Sequence, residues 1–381
     1  MTQHFGRLRP VYVVGIGLHP YQYLSETPYV TLGLQAVREA LSDGGLAWEA
    51  VESAYVAKAM LPMAPGRPML RHLGSRNLPI THIENASASG SSAFRQACME
   101  VAAGYSDVSL AVGVDKPALV GGSERLTGIG DLANDAIVPF THFALLAQEY
   151  LARSEASEED FARVALKNHR NALANPYAQR RKHRSLDEIV SGTRVAGPFT
   201  SLHCTPVGEG AAAVLVASEE GIKRWSLDAT RAVRVLASTA LSQRLYDDAA
   251  AFDAELTRET CELALAHAGR TAGDVDVLEL HDAFAVEELL YLEAMGISQS
   301  GCAAAELREG QFAIGGRCAV SASGGLIAMG HPVGPTGLGQ IAEITRQLRG
   351  EAGERQHKAA KTGLAHMVGL GAVCVVSVLE K

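Results

Sequence analysis

The apolar positions of the chain fall in short, nearly continuous runs set off by turn residues. Residues 11–16, 108–114, 211–217, 233–237, 275–280 and 372–379 are each too short for a typical helix and rich in Val, Ile, Leu and Ala, which predicts buried strands. Between them, apolar residues recur with helical spacing over 32–42, 92–103, 257–268 and 286–295. Strands alternating with helices predict an α/β fold whose sheets are largely covered.

The pattern repeats once. Ile83-Glu84-Asn85-Ala86-Ser87-Ala88-Ser89-Gly90 and Val320-Ser321-Ala322-Ser323-Gly324-Gly325 each lead from a strand through small side chains towards a helix. Each half then closes on a Gly-Ala-Val strand, at 210–217 and 371–379. This predicts a duplicated domain, with halves at 1–225 and 226–381. The stretch at about 115–205 breaks the repeat, with acidic residues at 155–160, basic ones at 180–184 and no strand-like run. It is expected to be an insertion of helices and loops over one face of the first half, where ligand contacts are often carried.

Composition narrows the function classes. The 381 residues are 47% hydrophobic and 20% charged, with 38 glycines, which excludes a disordered tail, a collagen and a coiled coil. Lys and Arg number 34 against 42 Asp and Glu, a formal charge of −8 that leaves no global footprint for nucleic acid. The one basic run, Arg180-Arg181-Lys182-His183-Arg184, reads first as a solvated loop and second as a site for a phosphate-bearing anion. The six cysteines (98, 204, 261, 302, 318 and 374) show no C-x-x-C and no metal spacing, so they read as thiols in a reducing compartment. No apolar run approaches the ~18 residues of a membrane span, and Gly15 and Gly17 interrupt the first run. The expectation is a cytoplasmic protein without membrane segments or a bound metal.

Four segments carry candidate chemistry. Small residues from Asn85 to Gly90 allow a sharp strand-to-helix turn, where a backbone N–H can receive an oxyanion at the helix's positive end or where a serine simply caps the helix. His331, between Gly330 and Pro332 on a glycine-rich loop, is held where an imidazole can act as base or as oxyanion donor. His281-Asp282-Ala283-Phe284 follows a buried strand at its carboxyl end, with Asp282 either the cap of the next helix or a catalytic group. The glycines of His366-Met367-Val368-Gly369-Leu370-Gly371-Ala372 suggest a bulge or exposed backbone amides.

In this order, Asn85 to Gly90, His281-Asp282-Ala283-Phe284, Gly330-His331-Pro332-Val333-Gly334-Pro335-Thr336-Gly337 and Gly369-Leu370-Gly371 resemble the thiolase superfamily. The His-Asp-x-Phe form is similar to the sterol-carrier-protein-x or lipid-transfer branch. Lys167-Asn168-His169, Asn175-Pro176-Tyr177-Ala178 and Cys204-Thr205-Pro206-Val207-Gly208-Glu209-Gly210 agree with it, and the resemblance spans essentially the whole chain. It implies a thiolase fold, two duplicated βαβαβαββ halves in five layers with an inserted loop domain. It implies an enzyme that makes or breaks the C–C bond beside a coenzyme A thioester, with CoA thioester as substrate and no covalently bound cofactor. The pantetheine arm would run between the loop domain and the second half. His281 and His331 would form an oxyanion hole for the thioester oxygen, and the N–H groups of Ser87 and Gly371 a second one. A homodimer or tetramer is implied. Because the chain ends after its last strand with no fused carrier domain, a small zinc-ribbon/OB-fold partner subunit is expected to complete the acyl-CoA site.

The departures matter for mechanism. By the resemblance, Ser87 stands where a thiolase has its nucleophilic cysteine, and the second catalytic thiol would sit at Ala283 or Met367. A thiolate forms readily at a helix N-terminus beside histidine, whereas a serine hydroxyl needs a strong base. Returning an acyl group from a serine ester to CoA is also uphill. A single engineered Cys→Ser change would not remove both thiols, and Cys204 reads as a buried loop-end residue. The leading expectation is therefore aldol or retro-aldol chemistry on a β-hydroxyacyl-CoA without an acyl-enzyme, although such aldolases carry Tyr where this chain has its two histidines. The alternatives are an acyltransferase using Ser87, or a cysteine in a parental form, and a non-catalytic acyl-CoA-binding subunit.

Overall fold

Strand order carries the duplication. In the computed structural model, which describes residues 8–117, 139–244, 252–370 and 373–381, the first half runs β1 (Val11–Gln22), α1 (Tyr29–Gly44), β2 (Ser53–Ala57), α2 (Gly66–Leu70), β3 (Ile80–Ile83), α3 (Ser89–Ala103) and β4 (Val108–Asp115). An insertion follows, with α4 (Pro139–Arg153), α5 (Glu158–Leu173), α6 (Leu186–Val190), β5 (Arg194–Ala196) and β6 (Phe199–Thr200). The half closes with β7 (Glu209–Ser218), and α7 (Glu219–Arg224) leads out of it. The second half runs β8 (Val233–Ser242), α8 (Phe252–Ala268), β9 (Val277–Glu279), α9 (Ala285–Ala294), α10 (Ala303–Arg308) and β10 (Ala319–Val320). It ends with α11 (Gly325–Ala328), α12 (Thr336–Arg349), β11 (Thr362–Gly369) and β12 (Val373–Glu380).

Hydrogen bonding orders the first set β3-β2-β4-β7-β1 and the second β10-β9-β11-β12-β8, the same order twice. In each set the first three strands are parallel and the last two join antiparallel. The sets meet where Val11, Tyr12 and Val13 pair with Val235, Arg234 and Val233, giving one ten-stranded sheet. Helices α3 and α12 pack on each other and on strands of both sets, while α1 covers the outer face of the first and α8 that of the second. That is five layers, and it explains why β4, β7 and β11 are buried along their whole length.

Three expectations change. Strand β1 does not stop at residue 16 but runs through Gly15 and Gly17 to Gln22. A Cβ at Gly15 would lie 2.3 Å from the Ala40 carbonyl oxygen, and one at Gly17 2.2 Å from that of Ala36, so these glycines admit α1 rather than end the strand. The insertion does contain strands, the short antiparallel pair β5–β6. Its helices also lie against the second half, not the first: α5 contacts α9, α10 and α11, and α4 contacts α9. One face of α5 does this with polar groups, Lys167 Nζ to the Val320 carbonyl at 2.7 Å and Asn171 to Ser321 at 3.0 Å, and Asn175, just past its end, adds a bond to Ser323 at 2.8 Å. Phe143, Tyr150, Phe161 and Phe199 complete the contact by joining the apolar core of the second half.

The N-terminus of α3 and the start of α12 touch backbone to backbone. A Cβ at Gly90 would meet the Gly334 carbonyl oxygen at 2.7 Å and the Leu338 nitrogen at 3.1 Å; one at Gly113 would meet Pro335 Cα at 2.5 Å. Gly90→Ala is therefore expected to force α3 and α12 apart, at about 1–3 kcal/mol. Urea unfolding checks it: a midpoint equal to that of the parent chain would mean that the contact relaxes freely.

Candidate active site

Ser87 sits on the corner between β3 and α3. Ser89 Oγ accepts the Asn85 N–H at 2.8 Å and donates to the Ala86 carbonyl at 2.6 Å, while Asn85 Nδ2 donates to Ser92 Oγ at 2.9 Å. These bonds hold Ala86 in the left-handed region, φ 46°, at a cost of roughly 1–2 kcal/mol for a residue with a Cβ. Ser87 is thereby presented just ahead of the positive end of α3.

His331 meets it from the second half. Ser87 Oγ and His331 Nε2 are 3.0 Å apart, and His331 Nδ1 is 2.8 Å from Thr336 Oγ1, which lies 3.0 Å from the Pro332 carbonyl. A carbonyl only accepts, so the Thr336 hydroxyl donates to Pro332 and its oxygen accepts from Nδ1–H. Nε2 of the neutral ring then carries no proton and accepts from the Ser87 hydroxyl. Burial, with His281 adding to it, pushes His331 down to about 3, so the ring is neutral at physiological pH. In this arrangement His331 enters as a base and becomes a donor only after taking a proton.

His281 lies beside this pair, its ring perpendicular to that of His331 with centroids 5.7 Å apart. Its Nδ1 donates to Glu287 Oε1 at 2.7 Å. Glu287 also accepts the Phe284 N–H at 2.9 Å, its place as the third residue of α9 letting it reach back over the turn, and the Tyr291 hydroxyl at 3.1 Å. His366 braces the backbone: its Nδ1 accepts the His281 N–H at 3.4 Å and its Nε2 donates to Thr257 Oγ1 at 3.0 Å. Burial, then His281, holds His366 well below the ordinary histidine range.

Asp282 does not cap α9, whose cap position is Phe284. Its carboxyl group instead accepts the N–H of Leu326, in the short helix α11 that precedes the His331 loop, at 2.7 Å and Asn168 Nδ2 of α5 at 2.7 Å. Gly325 is required beside it, since a Cβ there would fall 2.1 Å from Asp282 Oδ2. Asp115, at the end of β4, anchors the His331 loop on the first half by accepting the Gly334 N–H at 2.9 Å together with those of Ala59 and Met60. Burial pushes that carboxyl up to about 6 against these donors.

The structure thus brings Ser87, His281 and His331 together. Gly371, the fourth residue named from the sequence, lies outside the described residues. Cys204 is buried, donates to the Thr200 carbonyl and is pushed up to about 12, a bridge partner of Phe284 rather than a free thiolate. Of the basic run, Arg181, Lys182 and His183 are exposed, whereas Arg180 turns inward. Sequence reasoning missed Glu287, Thr336 and Asp115. The position of Glu287 at the start of α9 and that of Asp115 at a strand's carboxyl end were the available signals. Among the described residues no group of three or more His, Cys, Asp or Glu is placed to hold a metal ion, and no helix is long and apolar enough to cross a membrane.

A model of the thiolase N-terminal domain matches residues 11–194, and a thiolase C-terminal domain-like model matches residues 238–381. The chain is 35% identical to sterol carrier protein 2 of Gallus gallus, over 97% of this chain and 71% of that protein. It belongs to the thiolase superfamily. It is also 33% identical to the benzoylsuccinyl-CoA thiolase subunit BbsB of Thauera aromatica, over 95% of each. Among solved structures, the Ltp2-ChsH2(DUF35) aldolase superposes with a TM-score of 0.81 over 97% of each chain at 21% identity, a likeness of fold. The protein is therefore an enzyme of the thiolase-like, acyl-CoA class, and its two histidines and Ser87 stand at the junction of the two thiolase halves.

Thr336 fixes the tautomer of His331, so Thr336→Val should leave Nδ1–H without an acceptor. The expected result is a loss of about 1–3 kcal/mol in stability and a fall in turnover of about ten- to a hundredfold, with Thr336→Ser close to the parent. Steady-state kinetics on any acyl-CoA that the parent turns over would refute the relay if the valine variant matched it.

Proposed function

We propose that the protein makes or breaks the bond between C2 and C3 of a β-hydroxyacyl-CoA, by aldol or retro-aldol chemistry, without an acyl-enzyme. The observation that carries this reading is the Ser87–His331 hydrogen bond: a serine faces an unprotonated imidazole nitrogen, and positions 283 and 367 offer no thiol to replace it. In the cleavage direction the β-hydroxyl proton passes through Ser87 to His331 Nε2. The C2–C3 bond breaks, C3 leaves as a carbonyl, and the electron pair moves onto the thioester as an enolate. His281, its Nδ1–H held on the Glu287 carboxylate, donates to the enolate oxygen from Nε2 as the doubly protonated ring paired with that carboxylate. The proton on His331 then returns to C2, giving the shortened acyl-CoA. Only the proton visits the protein, and no carbon of the substrate becomes bonded to it.

The same hydrogen bond favours a second reading, acyl transfer through Ser87, because a hydroxyl bonded to a neutral histidine is also the beginning of nucleophilic catalysis. The two readings part on one experiment. Incubation with a β-hydroxyacyl-CoA should yield an aldehyde or ketone and a shortened acyl-CoA, His331→Ala should lose at least about a hundredfold in turnover, and intact-protein mass spectrometry should show no adduct on Ser87. Release of CoA from a β-ketoacyl-CoA with an acyl group on Ser87 would establish the second reading.

For partners, we propose a homodimer joined along β3. Among the described residues that strand pairs only with β2; it is half-exposed and leads directly into the Ser87 corner. We also propose a small second subunit of zinc-ribbon/OB-fold type at the acyl-CoA site, by analogy with relatives named as a thiolase subunit and as a DUF35-containing aldolase. Light scattering should give twice the chain mass, and a monomer at working concentration would refute the β3 interface.

A further inference from the structure

Arg180 makes hydrogen bonds that its place in an exposed basic run does not suggest. Its Nη1 donates to the Cys204 carbonyl at 2.7 Å and to the Ile327 carbonyl at 2.9 Å, and its Nη2 to the Ser201 carbonyl at 3.0 Å. These carbonyls belong to two different segments, Ser201 and Cys204 to the loop after β6 and Ile327 to α11. Residues 203–205 are laced to the turn after His281, through Thr205 N–H to the Ala283 carbonyl at 2.9 Å, Ala285 N–H to the His203 carbonyl at 3.1 Å and the Cys204–Phe284 bridge. Ile327 lies four residues before His331, and the chain around Arg180 pairs with that segment, Arg180 N–H to the Ala328 carbonyl at 3.0 Å and Gln179 N–H to the Met329 carbonyl at 2.9 Å.

We propose that Arg180 is a positioning residue whose guanidinium sets the separation of His281 and His331. A planar fork with five donors can bridge a loop and a helix at fixed distance, which a single ammonium cannot. Three of its acceptors are carbonyl oxygens, the Tyr23 hydroxyl also faces it, and no carboxylate among the described residues pairs with it, so its positive charge stays unneutralised beside the segments that hold the two rings. Geometry and charge then act together: the fork fixes where the enolate oxygen meets the rings, and the cation favours an anion forming there. The first part stands on the structure alone; the second rests on the acyl-CoA reading but not on which bond is cut.

The variants Arg180→Ala and Arg180→Lys test it with three readouts. Exchange of the C2 protons of an acyl-CoA into heavy water reports the enolate in either the aldol or the acyl-transfer reading. We expect Arg180→Ala to lose about a hundredfold in exchange rate, the scale of a displacement of about 1 Å, while its Kd for CoA stays that of the parent. Arg180→Lys should recover part of the rate, and added guanidinium should restore activity to Arg180→Ala but not to His331→Ala. A crystal structure of Arg180→Ala, or of Arg180→Lys should the alanine variant not fold, should show the His331 loop displaced. If His331 Nε2 stays at the Ser87 hydroxyl as in the parent, or if the exchange rate is unchanged, the proposal is wrong. If the parent chain shows no exchange, the acyl-CoA chemistry of the preceding subsection fails, and the crystal structure still decides on Arg180.

Discussion

The site depends on one close approach, that of the α3 N-terminus to the loop and first turn of α12. Gly90, Gly113 and Gly337 lie where any Cβ would strike Gly334, Pro335, Leu338 or Ser91, so the two backbones pack at glycine distance. Only at that distance can Ser87, on a corner of the first half, reach His331, on a loop of the second, at 3.0 Å. The duplication supplies the symmetry that makes this possible. Both α3 and α12 follow the third strand of their repeat and meet in the central layer. The first repeat contributes Ser87, the second His281 and His331, to a seam that neither could form alone.

Around this seam the polar groups come in layers of fixed direction. Thr336 and the Pro332 carbonyl set which nitrogen of His331 is free; Glu287 does the same for His281, and His366 for the backbone beneath it. Farther out, Asp282, Glu288 and Asn168 link the His281 turn to the insertion, with Lys167 closing the group against Glu288 at 3.2 Å. Burial raises the carboxyls of Asp282 and Glu288, and mutual repulsion adds to that for Asp282, so one ammonium serves a group that cannot be fully ionised together. A cluster of this kind tolerates little change, because removing any member strands another.

The sequence pattern made the strands, the repeat and three of the site residues legible, for identifiable reasons. Strands such as β4, β7 and β12 are apolar along most of their length because both faces are covered, and that shows in any window. Ser87, His281 and His331 lie at strand ends or in glycine-rich turns, where local sequence already marks the corner. Glu287, Thr336, Asp115 and Arg180 have no local mark of comparable strength. Their work is defined by a partner on another element, from five residues away for Thr336 to 219 for Asp115. The side on which the insertion lies was illegible for the same reason. Its amphipathic α5 needs a partner face, and the carbonyls of residues 320–323 that receive it are backbone groups without a signature in side-chain pattern.

The neutrality of His331 bears on which chemistry suits this corner. A ring held near 3 is a weak base at rest, so in either reading it takes the Ser87 proton only as the reaction proceeds. Its low value has two causes, loss of water and the neighbouring imidazole, and both are answered by negative charge arriving between the rings. Under the proposed reaction that charge arrives as the C2–C3 bond breaks, on the thioester oxygen beside His281. Proton uptake by His331 then becomes favourable in the same step that creates the enolate, and unfavourable without it. The site would in this way take up a proton as negative charge forms on the thioester oxygen, which in the proposed reaction happens as the carbon–carbon bond breaks. A relay serine and a desolvated base fit that requirement, and a thiolate in place of Ser87 would add a competing nucleophile at the same corner.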